Sequence, residues 1–147
     1  MSQWRKRAIE VFPDIRARIH EAGSLGQLWC DLWHRFRQSY EGQPSSSVRI
    51  RSIYLYAVWC TKSPSFEVQQ AAWMHFYEDV VWFAFQCKEP LYRRVVQDLV
   101  LNLGLSEIEA LRGTLGYLID SEQIDKLMAD AEEIDYQLRR RSLKRKH

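Results

Sequence analysis

The residues with the clearest chemical potential are His75, Glu78 and Asp79. Positions i, i+3 and i+4 of an α-helix share one face, so this spacing predicts three convergent side chains. A histidine with two carboxylates could hold a divalent metal if another element supplied a fourth ligand, as a metal-assisted hydrolase requires. Alternatively, Asp79 could orient His75 as a general base. The plainer reading is the solvated polar face of an amphipathic helix. No His-x-x-x-His or Glu-x-x-His pair accompanies the three. Trp82 falls on the same predicted face, so His75, Glu78, Asp79 and Trp82 together form a candidate surface site, with Trp82 as a potential anchor for a partner.

A second candidate is the run Arg139, Arg140, Arg141, Lys144, Arg145 and Lys146, six cations without an acid between 139 and 147. Such a run could contact phosphates with strong salt dependence and no base specificity. It could equally fold back on the acidic stretch before it, or remain solvated. Residues 107–135 carry nine acids against Arg112 and Lys126. The tail holds a net +6 in a chain whose total is +2. That acidic-then-basic order is the largest charge asymmetry present.

The three cysteines, Cys30, Cys60 and Cys87, are odd in number, lack a Cys-x-x-Cys pair and fall inside apolar patterns. They read as reduced thiols of a cytoplasmic protein, with Cys30 and Cys60 in the core. No nucleophile elbow, phosphate loop or dinucleotide fingerprint occurs, so no cofactor is implied and an enzyme is disfavoured. No signal peptide is expected, because no apolar core follows Arg5-Lys6-Arg7. The most apolar window, 71–85, is interrupted by His75, Glu78 and Asp79 and is too short to span a bilayer.

The elements that must position these residues read as helices throughout. Pro13 suits a first helical position, and a segment at 4–11 precedes it. Ser24 and Gln27 have capping-box form before a stripe at Leu25, Leu28, Trp29, Leu32, Trp33, Phe36 and Tyr40. Gly42 and Pro44 stop that helix, and Ser45, Ser46 and Ser47 make a polar loop that offers a cap for the next helix. The run 53–60 is apolar on every side, which predicts a buried helix over 48–62. A helix over 66–86 turns Trp73, Phe76, Tyr77, Val80, Val81 and Ala84 inward. Pro90 opens another, with Leu91, Val95, Leu99 and Leu103 inward. Ser106 and Glu109 suggest a second capping box before Ile108, Leu111, Leu115 and Leu118, a segment that contains Gly113 and Gly116. Asp120 or Ser121 caps the last helix, which buries Ile124, Leu127, Met128, Ala131, Ile134 and Leu138.

Six Trp, seven Tyr and six Phe in 147 residues predict an aromatic core. Trp29, Trp33, Trp59 and Trp73 fall on inward stripes. Trp82 and then Trp4 are the tryptophans expected to reach solvent. The expectation is an all-α protein: a single compact bundle of six or seven helices over 1–138, packed around 48–62 and 66–86, followed by a basic tail at 139–147.

Three words occur in order: Leu28-Trp29-x-x-Leu32-Trp33-x-x-Phe36, then Ile50-x-x-Ile53-Tyr54-x-Tyr56-Ala57-x-Trp59-Cys60, then Phe76-Tyr77-Glu78. Together they resemble a family of small helical bacterial proteins described as a domain of unknown function. The resemblance covers roughly 12–80. It implies a helical fold and bacterial origin, and a His after the third word, where this chain has Asp79. With no catalytic signature in hand, the leading expectation is a non-enzymatic protein that binds another protein, steered by its charge asymmetry. Nucleic-acid binding through the tail and hydrolysis at His75, Glu78 and Asp79 are the alternatives.

Overall fold

The structure is a computed structural model that describes residues 1–42, 46–115 and 119–146. The expected stop at Pro44, the loop Ser45, the helix positions Gly116 and Leu118, and His147 of the tail lie outside the described residues.

Eight helices and no strand occur among the described residues, so the fold is all-α, with more helices than the six or seven expected. They are α1 (Gln3–Val11), α2 (Arg16–Glu21, entered by a 3-10 turn at Pro13–Ile15), α3 (Leu25–Glu41) and α4 (Ser47–Thr61). α5 is one run of three stretches: Phe66–Ala72, a π-helical turn at Trp73–Tyr77, and Glu78–Gln86. α6 (Leu91–Leu103), α7 (Leu105–Leu115) and α8 (Ser121–Arg145) complete the chain. The breaks lie where the sequence places them, and every segment between them forms a helix of its own, which brings the count to eight among the described residues. Pro13 ends α1 through the 3-10 turn, and Gly104, at φ +91°, lets α6 stop and α7 begin at once.

Caps set several of these boundaries. The Gln27 amide donates to Ser24 Oγ at 3.1 Å, while the Gln27 side chain accepts from the Gly23 amide at 2.7 Å. Ser46 and Ser65 accept from the Arg49 and Val68 amides to start α4 and α5. Asp120 accepts from the Glu122 amide to start α8. The second capping box does not form. α7 starts at Leu105, which places Ser106 inside its first turn, and the Ser106 hydroxyl donates to Glu107 instead.

The chain divides into two compact units, Met1–Asp79 and Val80–His147. In the first, α3 packs on α4 and on the first part of α5, and α1 packs on α2 and α4. Its centre is aromatic. Trp29 stacks on Phe76 at 5.2 Å, Phe36 meets Phe76 edge-on at 5.2 Å, and Tyr54 meets both rings. Each such pair adds about 0.5–1.5 kcal/mol beyond area burial. In the second unit, α6, α7 and α8 pack mutually. Tyr92 donates to Asp130 at 2.6 Å, and the Lys126 ammonium pairs with Asp130 at 3.0 Å while lying over the Tyr92 ring. Arg112 spans Glu109 and Asp125, so part of the acidic stretch is matched within its own unit. The boundary expected at 138 falls inside α8, which continues to Arg145.

Candidate functional site

His75 sits in the π turn of α5, and this changes its register. A π turn holds more residues than an α turn, and His75 still lies near enough to act on both the Glu78 and Asp79 carboxylates. His75 is exposed, and its Nε2 lies 3.5 Å from where a Cβ on Gly26 would stand, against the first turn of α3. Glu78 and Asp79 are half-buried. Burial raises the pKa of both; Asp79 raises Glu78 further, and His75 partly offsets the rise at each. Among the described residues, no three His, Cys, Asp or Glu side chains group so as to hold a metal ion. The three residues form a coupled polar strip, and the geometry gives no ground for the metal-assisted hydrolase. Trp82 belongs to the second unit and is 50% exposed.

The cysteines separate. Cys60 is buried, and burial pushes its thiol up to about 12 despite a hydrogen bond with Tyr56. Such a thiol is no nucleophile near neutral pH. Cys30, expected in the core, is exposed instead: α3 buries Leu28, Trp29 and Leu32, and Cys30 falls off that stripe.

The tryptophans separate as well. Trp29 is fully buried, and its Nε1–H has no hydrogen-bond partner. Trp33, Trp59 and Trp73 are half-buried rather than enclosed. Trp59 and Trp4 line one cleft with Pro64 and Val68. The inward stripe hid Trp59, because its ring stacks on Tyr56 at 6.1 Å and yet borders solvent on the cleft side. The detectable signal was the Ser63-Pro64-Ser65 break four residues later, which ends α4 and opens a wall beside the ring.

The basic run is helical through Arg145, and all six of its cations are exposed. No residue of α8 is buried after Ile134. Leu138, expected inward, is half-buried. Arg139 pairs with Asp135 at 2.9 Å, and Arg140 lies over the Tyr136 ring at 5.8 Å. Among the described residues, Arg141, Lys144, Arg145 and Lys146 make no ion pair, so the run meets the acidic stretch at its last acid, through Arg139. Tyr136 and Leu143, each 60% exposed, stand seven residues apart and therefore on one face, with Arg140 between them. Among the described residues, no helix is long and apolar enough to cross a membrane.

No protein-family model, curated protein or solved structure matches this chain.

Proposed function

We propose that this chain is a non-enzymatic, cytoplasmic bacterial protein that binds another protein through the basic end of α8. The bacterial assignment rests on the family resemblance of the words around Trp29, Tyr54 and Phe76. The observation that carries the binding reading is the exposed pair Tyr136 and Leu143, two turns apart on a helix end ringed by cations. Helices that dock in grooves present apolar anchors at this spacing, and surrounding charge steers the encounter. The partner would offer an apolar groove with an acidic rim.

Capture from a bacterial lysate tests it. The wild-type chain should enrich one discrete protein after nuclease treatment, and a Tyr136→Ser, Leu143→Ser variant should lose it by tenfold or more. Equal capture by the variant would sink the proposal.

The second reading, nucleic-acid binding, is favoured by Arg141, Lys144, Arg145 and Lys146, which make no ion pair among the described residues. Phosphate contacts would make affinity fall steeply with salt, with a log–log slope of about −0.9 per contact on duplex DNA. Retention on DNA or RNA should then vanish when 139–147 is deleted, and should survive the Tyr136→Ser, Leu143→Ser change. Retention unaffected by the deletion would dispose of this reading.

A further inference from the structure

The cleft beside Trp4 and Trp59 has a volume of 480 Å³, within the range of small-molecule sites of roughly 300–1,000 Å³. Its apolar walls are the two indoles, Pro64 and Val68, and no charged side chain lines it. Those walls are held in place from behind. The Tyr56 hydroxyl donates to the Trp4 carbonyl at 2.9 Å, and the Arg5 guanidinium, which does not line the cleft, covers the Trp4 ring at 4.6 Å. Arg5 is itself fixed by donating to the carbonyls of Ile19 and Ala22 at the end of α2. Trp59 lies parallel to Tyr56, with 9° between the ring planes. The Gln69 side chain donates to the Ser63 carbonyl and ties down the loop.

The polar groups in the cleft are not equivalent. Ser63 Oγ accepts from the Ser65 amide, and Ser65 Oγ accepts from the Val68 amide. Ser2 also lines the cleft, but its Oγ is shielded from solvent and so lies out of a ligand's reach.

We propose that this cleft binds an uncharged aromatic small molecule, its ring against Trp4 and Trp59. Flat rings gain from offset or edge contacts with indoles. An ionised ligand would lose hydration without meeting a countercharge.

Phenol, toluene and benzoate titrated into the full chain at neutral pH, followed by backbone amide NMR shifts, test the proposal. Phenol should shift residues 2–4, 59 and 63–68 saturably, and benzoate should bind at least tenfold more weakly. Trp4→Ala should abolish saturation by phenol and toluene. Absence of saturable shifts with phenol, shifts that persist in Trp4→Ala, or benzoate binding as tightly as phenol would each overturn the assignment.

Discussion

Glu78 and Asp79 show how a single substitution of environment changes a carboxylate. Both are half-buried, and burial favours their neutral forms. Asp130 moves the other way: burial alone would raise it, but the Tyr92 hydrogen bond and Lys126 outweigh that and lower it. The signs therefore oppose. A carboxyl whose folded pKa is raised disfavours the fold increasingly as pH rises from its unfolded value to that raised value, and is neutral to stability below the unfolded value. Asp130 supports the fold above its unfolded value of 3.8, and that support is lost as pH falls through the lower folded value. Carboxyl NMR titration should place the Glu78 and Asp79 midpoints above, and the Asp130 midpoint below, their ordinary values. Tyr92→Phe should move Asp130 back up. The thiols make a second residue-scale prediction. A neutral alkylating reagent should modify Cys30 rapidly in the folded chain and leave Cys60 untouched until denaturant is added, because only Cys30 is exposed.

At the scale of the helix, α5 and α8 are informative for different reasons. α5 carries Phe76, which touches Trp29, Phe36 and Tyr54 with no exposed surface. Phe76→Ala should cost about 3–5 kcal/mol in denaturant unfolding. Trp82→Ala, later on the same helix at a half-exposed position, should cost far less. The sequence showed which residues of α5 are apolar, and Phe76, Tyr77, Val80, Val81 and Ala84 are buried as their spacing requires. It could not show the π turn, since 3.6-residue periodicity is the premise of that reading. α8 past Ile134 has no buried side chain to hold it, so local interactions must. Arg140 and Lys144, and likewise Arg141 and Arg145, are like charges four apart, which disfavours the helix by a few tenths of a kcal/mol per pair. Circular dichroism should therefore show helicity rising with salt in the full chain, and much less so once 139–147 is deleted.

For the molecule as a whole, charge order matters more than total charge. Deleting 139–147 removes six cations from a chain of net +2, so the truncated chain should move from cation-exchange to anion-exchange retention at pH 7. The sequence by itself determined the helical class, the aromatic core, three of the caps and the acidic-then-basic order. These follow from periodicity, hydroxyl placement and composition, all of them local properties. Tertiary structure decided which apolar residues are enclosed. Trp29 and Trp59 have the same residue type and both fall on inward stripes, yet one is sealed by Phe76 and Tyr56 and the other forms the wall of a cleft with Trp4. The difference depends on neighbours far along the chain, as when the Tyr56 hydroxyl reaches the Trp4 carbonyl. No spacing rule along a single helix contains that information.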